Sequence, residues 1–222
     1  MKILYLETSS RNCSVAVSDG KELLCVCEEV SENYKQSESL HTYVKWALEG
    51  AELTMNDIEC ITLGMGPGSY TGLRIGAASA KGFCFGNDLP LIAVNSLESM
   101  IQPFLGQDFD IIVPLVDARR MEVYTASFDG KTGSVITETN AKILEEGAFS
   151  ELEGKKVLFV GDGCAKAKDV IAISNCSFDD TVYPSAQYLI AKAVEKIEKK
   201  EFEDVAYFEP FYLKDFHGVK KK

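Results

Sequence analysis

Alternating apolar and polar positions predict that the chain begins with three strands. Residues 2–8 are mostly apolar, as in a central strand, and residues 12–18 alternate between apolar and polar side chains. Residues 22–30 form a third strand-like segment after Asp19-Gly20, a pair that is typical of a tight hairpin turn. The sequence therefore predicts an antiparallel meander at the start of the fold.

A helical period follows, and then a glycine-rich connection. Residues 36–51 repeat apolar side chains every three or four positions, which predicts an amphipathic helix. Residues 60–63 form a short apolar strand, and a Gly-Pro-Gly loop then leads into a helix that starts near Thr71. This helix is rich in Gly and Ala, although each Gly in a helix interior costs about 1 kcal/mol relative to Ala. We therefore expect a phosphate, the neighbouring sheet or a partner's helix to pack very close to it.

The second half of the chain repeats the layout of the first. A shift of 110 residues places Glu7 on Asp117 and the turn Asp19-Gly20-Lys21 on Asp129-Gly130-Lys131. The other predicted elements are a strand at 89–94, a helix at 96–105, strands at 110–116, 122–128, 134–139 and 156–160, and a helix at 185–200. Such a repeat indicates duplication. We predict an α/β protein with two lobes, residues 1–105 and 106–222, and the 185–200 helix is a candidate to pack back on the first lobe.

Two interpretations of the glycine loop stay open. Free N–H groups at a helix start attract phosphate, which makes Gly66, Gly68 and Ser69 candidates for a nucleotide or anion loop. A tight turn without a ligand explains the same residues, and neither a Walker nor a dinucleotide-binding pattern is present. Glu7 and Asp117 close the first strand of each lobe and are candidates to hold Mg²⁺ through water. We favour the interpretation that these two carboxylates satisfy N–H groups of turns.

Composition and charge exclude several classes of function. The formal net charge of −11 over 222 residues argues against a nucleic-acid-binding surface on this chain. The two histidines, His41 and His217, are too far apart for a two-histidine helix motif, and we predict no metal site. Seven scattered cysteines are typical of reduced thiols. Because no signal peptide or long apolar run is apparent, we expect a cytoplasmic protein without a membrane segment.

Three motifs resemble a known bacterial family. Glu7-Thr8-Ser9, residues 13–17 and the glycine motif of residues 66–76 are similar to those of the TsaB family, also called YeaZ or glycoprotease-like. The first half of the chain carries most of the resemblance, and the second half agrees in layout and at residues 210–213. The resemblance implies an actin/Hsp70/sugar-kinase-type fold of two RNase-H-like lobes, with mixed sheets flanked by helices. The repeat predicts the same duplication independently.

The resemblance also implies a role in tRNA modification. The family takes part in adding threonylcarbamoyl to the adenosine beside the anticodon of tRNAs that read ANN codons. Its members pair with the paralogue TsaD, which carries the metal-binding histidines and transfers the group, and they help to recruit the ATPase TsaE. A TsaC or Sua5-type enzyme supplies the adenylate. We therefore expect a non-catalytic subunit that meets tRNA only through the complex, and ATP with Mg²⁺ is the only candidate cofactor.

In that family the first two helices form the dimer surface, towards TsaD or a second copy. On this basis the candidate partner contacts are Tyr43, Trp46, Tyr70, Leu73 and Arg74, and the residues that would permit close helix approach are Gly72, Gly76 and Ala80. Tyr43 and Trp46 fall off the predicted core face, which is typical of either a partner anchor or scattered surface aromatics. A Gly76→Leu substitution is then expected to abolish partner binding while the lobe stays folded.

Glu7 departs from the family, which often has Asp at this position, and the longer side chain weakens the case for a Mg²⁺ or nucleotide role. Two other functions stay open. One is a stand-alone ATP-dependent phosphotransferase or peptidase of the same superfamily. The other is a regulatory homodimer that binds other proteins.

Overall fold

Two five-stranded sheets form the framework of the protein. The computed structural model describes residues 1–31 and 36–214. The first sheet contains β1 (Lys2–Glu7), β2 (Asn12–Asp19), β3 (Glu22–Val30), β4 (Cys60–Gly64) and β5 (Leu91–Val94). Its strand order is β3-β2-β1-β4-β5, in which β1 pairs antiparallel with β2 and parallel with β4.

The second sheet repeats this arrangement. Its strands are β6 (Ile111–Asp117), β7 (Glu122–Asp129), β8 (Val135–Ile143), β9 (Val157–Val160) and β10 (Cys176–Asp179). The order β10-β9-β6-β7-β8 is the first sheet's order read from the other edge, and β6 again pairs antiparallel with one neighbour and parallel with the other. The predicted duplication and the two-lobed α/β fold class are therefore confirmed.

Helices cover both faces of the first sheet. The helices of the described residues are α1 (Gln36–Gly50), α2 (Tyr70–Asn87), α3 (Ser96–Met100), α4 (Cys164–Ala167) and α5 (Ile190–Glu198). α1 and α2 pack on one face in a core that includes Leu6, Leu40 and Leu63, while α5 lies on the other. Strands covered on both faces lack an exposed side, which explains the continuous apolar runs of β1 and β4. In the part of the chain that the structure describes, no helix has the length and apolar character needed to cross a membrane.

The end of the chain returns to the first sheet. Leu189 and Ala193 are fully buried in a cluster that contains Tyr5, and Lys196 Nζ donates a hydrogen bond to the carbonyl oxygen of Ala93 at 2.7 Å. Further along, Phe208 is buried in the core beneath α1 and α2. Residues from the second half of the sequence therefore pack in the core of the first lobe as well as in the second. The division of the chain into lobes at residue 105 stays a prediction.

Several predicted boundaries differ from the structure for local reasons. The predicted 96–105 helix ends at Met100, and Pro103 lies in a short 3₁₀ turn. The predicted 185–200 helix begins as a 3₁₀ turn, and the Ser185 side chain before it makes no capping hydrogen bond but donates to Glu28 at 2.5 Å. α4 and β10 have four residues each, too few to show a period, and were not predicted. His217 and the terminal lysines lie outside the described residues.

Candidate functional site

The connection between β1 and β2 packs directly against the glycine side of α2. A Cβ atom added at Gly68 would lie well inside 3.0 Å of the Ser9 carbonyl oxygen. One added at Gly72 or Gly76 would approach the carbonyl oxygen or the Oγ1 atom of Thr8 as closely. The chain's own packing therefore requires these glycines.

Hydrogen bonds fasten the same contact. Ser69 N–H donates to the Ser9 carbonyl oxygen at 2.6 Å, and Thr8 Oγ1 donates to the Gly72 carbonyl oxygen at 2.8 Å. Ser69 is also the N-cap of α2, since its Oγ accepts a hydrogen bond from Gly72 N–H at 3.3 Å. Gly66 is fixed on its other side, where its carbonyl oxygen accepts from Ser96 N–H at 2.9 Å. The structure thus explains the loop as a packed turn, and the anion interpretation stays a prediction that this geometry does not require.

Glu7 lies inside the first lobe. Its side chain is fully buried, and its carboxylate accepts hydrogen bonds from Ser9 N–H and from Ser96 Oγ, each at 2.8 Å. Gly64 leaves the space that this carboxylate fills. Burial raises the pKa of the Glu7 carboxyl, and the hydrogen bonds oppose that rise. The candidate Mg²⁺ role of Glu7 is therefore not supported, because the side chain points into the protein and meets the donors of a turn.

Asp117 occupies the matching place at the end of β6. Its carboxylate accepts from Arg119 N–H at 2.7 Å, two residues ahead, as Glu7 accepts from Ser9. Asp117 is exposed, however, and forms an ion pair with Lys166 Nζ at 2.5 Å. Within residues 1–31 and 36–214, no three His, Cys, Asp or Glu side chains are placed to hold a metal ion.

The two aromatic candidates on α1 have different surroundings. Tyr43 is 8% exposed, belongs to the core cluster, and donates from its hydroxyl to Glu29 of β3 at 2.7 Å. The expectation that it lies off the core face is wrong, because position 43 follows Leu40 by three residues and precedes Ala47 by four. Trp46 is 52% exposed and stacks on Tyr43 with ring centroids 5.7 Å apart.

Most of the α2 candidates face inward. Leu73 and Ala80 are buried, as are Gly72 and Gly76 against Thr8. The expectation that this row of small residues approaches a partner's helix is therefore corrected, since the chain itself fills that side.

Two candidates at the start of α2 stay near the surface. Arg74 is exposed, and its guanidinium lies 5.6 Å from the centre of the Tyr70 ring. Tyr70 also packs against Tyr212, whose ring centre is 5.0 Å away. Phe211 N–H donates to the Met65 carbonyl oxygen at 2.9 Å, so this part of the tail lies against the glycine loop.

A second row of small residues, which the sequence reasoning missed, faces outward on α2. Ala78, Gly82 and Gly86 are exposed, and a Cβ atom added at either glycine would have no neighbour within 4 Å. Phe85 projects beside them with 89% of its surface exposed. The signal was in the spacing, because positions 78, 82 and 86 repeat every four residues on the side opposite Gly72, Gly76 and Ala80.

Comparison with known proteins finds relatives that match most of the chain. The family model described as TsaD, tRNA N6-adenosine threonylcarbamoyltransferase, matches residues 26–216. The chain is 31% identical to the tRNA threonylcarbamoyladenosine biosynthesis protein TsaB of Bacillus subtilis, over 77% of this chain and 75% of that protein. It is 28% identical to the protein of the same name from Haemophilus influenzae, over 97% and 94%. The structure of YeaZ from Pseudomonas aeruginosa has the same fold, with a TM-score of 0.83, 24% identity, and coverage of 96% of this chain and 99% of that one.

The two faces of α2 predict opposite effects of the same substitution. Gly76→Ala is expected to lower the free energy of unfolding by about 1–3 kcal/mol, since its Cβ meets Thr8 and Leu63 in a packed core. Gly82→Ala, the matched control, is expected to raise it by about 0.5–1 kcal/mol because its Cβ meets only solvent. Urea unfolding followed by circular dichroism measures both values. Equal effects at the two positions would contradict the assigned faces.

The buried carboxyl group predicts a pH-dependent stability. Its pKa lies above the ordinary value of 4.5, so the folded protein holds this proton more tightly than the unfolded chain. The stabilisation is complete below the ordinary pKa and is lost as pH rises through the raised pKa. Glu7→Gln has no such proton. The unfolding free energy of the wild type minus that of Glu7→Gln should therefore fall as pH rises above 4.5.

Urea titrations of both proteins across this pH range measure the difference. Asp162, whose pKa burial also raises, is present in both proteins and cancels. A difference that does not vary with pH would disprove the assignment. Glu7→Ala serves as a second variant and should cost about 3 kcal/mol, because it leaves a cavity and two donors without their acceptor.

Proposed function

The chain belongs to the TsaB family, also called YeaZ, and we propose that it acts in threonylcarbamoyladenosine biosynthesis as a non-catalytic subunit that pairs with a TsaD-type transferase. The observation that carries this proposal is the outward face of α2, defined by Arg74, Ala78, Gly82, Phe85 and Gly86. The relatives' names supply the pathway. The outward face of α2 is the surface that we propose binds the partner.

Three properties suit this face to a helix of another protein. Side-chain size sets how closely two helix axes approach, and Ala78, Gly82 and Gly86 present almost none. Phe85 offers an exposed aromatic side chain of the kind that dominates binding energy when it enters a partner's pocket. Arg74 supplies a polar margin at the other end of the helix.

The tail extends the same face. Lys81 Nζ donates to the carbonyl oxygens of Ala206 and Phe208, at 3.1 and 2.9 Å, and so holds Tyr207 beside α2. Tyr207 is 85% exposed, and Lys81 precedes Phe85 by one helical turn. Two exposed aromatic rings therefore border the small-residue row, and the tail contributes to the partner surface.

The state of Glu7 supports a subunit without catalysis of its own. A carboxylate that takes part in metal or phosphate chemistry has to reach the ligand, whereas Glu7 is fully buried and bonded to Ser9 and Ser96. The catalytic groups then belong to the TsaD-type partner. We propose TsaE and a TsaC or Sua5-type enzyme as the other members of the pathway, and the cytoplasm as the compartment in which the protein acts on tRNA with them.

A drop-out reconstitution tests the function. A TsaC-type enzyme, TsaD, TsaE, tRNA, threonine, bicarbonate and ATP are combined with and without this protein, and modified tRNA is counted. Modification that requires the protein, together with no activity of the protein alone, is the expected result. Equal modification without it would refute the proposal.

A substitution on the outward face tests the pairing. Gly82→Leu adds a side chain where there is open space, so the protein stays folded while its partner's helix is held away. We expect binding to a TsaD-type protein, measured by calorimetry, to weaken at least about tenfold, which corresponds to ~1.4 kcal/mol. Glu198→Leu introduces the same residue at an exposed position of α5 and should bind as the wild type does. Unchanged affinity of Gly82→Leu would place the interface elsewhere.

A further inference from the structure

The turn between β6 and β7 carries arginine where turns of this geometry favour glycine. Arg119 and Arg120 both have left-handed backbone conformations, with φ of 67° and 52°. Two consecutive residues of this kind are normally Asn-Gly or a similar pair, because a Cβ atom disfavours the conformation. The turn between β2 and β3 has glycine at this position, Gly20, and the other described non-glycine residues with positive φ, such as Glu52 and Lys200, occur singly and not as a consecutive pair. Residues held in a backbone conformation that their side chains disfavour are found preferentially at functional sites.

The carboxylates of Asp117 and Glu122, which flank this turn, form ion pairs with lysines and not with its arginines. Asp117 pairs with Lys166 at 2.5 Å, and Glu122 pairs with Lys214. Arg119 and Arg120 are exposed, and neither guanidinium forms an ion pair within the described ranges. The charge of the turn is therefore directed to solvent.

We propose that the arginine turn, Arg119 and Arg120, contacts the phosphate backbone of tRNA in the assembled complex; this inference rests on the function proposed above. Arginine's planar fork matches two phosphate oxygens, and such contacts set orientation without reading sequence. The chain as a whole carries a net charge of −11 and repels RNA. A local cationic patch on such a chain fixes where tRNA approaches and contributes only part of the affinity.

The test uses a variant that removes charge and relieves the backbone at once. Arg119→Asn with Arg120→Gly installs the preferred residues of this turn, so its melting temperature should equal or exceed that of the wild type. Each variant is assembled with a TsaD-type partner, and binding of an unmodified ANN-decoding tRNA transcript is measured from low to moderate salt. The slope of log K against log salt is negative, and each lost phosphate contact reduces its magnitude by about 0.7–0.9. For two lost contacts we therefore expect its magnitude to fall by about 1.5.

A matched control removes two charges at other turns. Lys21→Asn with Lys131→Asn produces the same net charge, and Lys131 follows the opposite end of β7 from Arg120, about 24 Å away. We expect this control to retain the wild-type salt slope. A control that lowers the slope equally would overturn the proposal, because total charge and not the arginine turn would then determine binding.

The remaining outcomes also decide the matter. An arginine variant with the wild-type slope and affinity for tRNA overturns the proposal. An arginine variant that fails to assemble with the TsaD-type partner would assign the patch to an acidic protein surface and also overturn the proposal. The drop-out reconstitution with wild-type protein separates these results from failure of the proposed function. If the wild-type chain is required there and the slope is unchanged, only the arginine turn is refuted.

Discussion

The close approach of Thr8 and Ser9 to α2 is the contact on which the rest of the first lobe depends. It places the end of the central strand directly on a helix, with no side chain between the Ser9 carbonyl oxygen and Gly68 or between Thr8 and Gly72. Backbone contact at this distance fixes the position of α2 over the sheet. Because the inward side of α2 is held against Thr8 and Ser9, the opposite side of the helix, with Ala78, Gly82 and Gly86, faces solvent.

Glu7 completes the same arrangement electrostatically. A buried carboxylate is costly unless its oxygens are satisfied, and here Ser9 N–H and Ser96 Oγ reach both of them. Ser96 N–H bonds at the same time to the Gly66 carbonyl oxygen, which ties the strand end, the glycine loop and α3 into one network. A role for Glu7 in holding Mg²⁺ would require an accessible carboxylate. Here the carboxylate instead joins three parts of the first lobe. The matching residue, Asp117, is exposed and pairs with Lys166, so the two halves differ at this point.

Periodicity predicted the features that repeat over many residues and missed those set by single contacts. Nine of the ten strands of the described residues, the two long helices and the duplication followed from spacing along the chain. The two rows of small residues on α2 were not separated, because glycine gives no apolar signal and only the neighbour Thr8 identifies the inward row. Asn95 caps α3 through its side chain, while the neighbouring Ser96 hydroxyl donates to Glu7. Such choices depend on partners that are distant in sequence.

Net charge was equally informative and equally limited. A total of −11 describes the field at a distance, where it opposes a polyanion, but it does not locate the charges. Within a Debye length of about 8–10 Å, the local groups decide, and around the arginine turn the carboxylates are already paired. Repulsion over most of the surface and the proposed attraction at the arginine turn then act together, because an RNA that is repelled elsewhere approaches in the orientation that this turn favours. On this view the acidic surface and the arginine turn are complementary parts of one orienting arrangement.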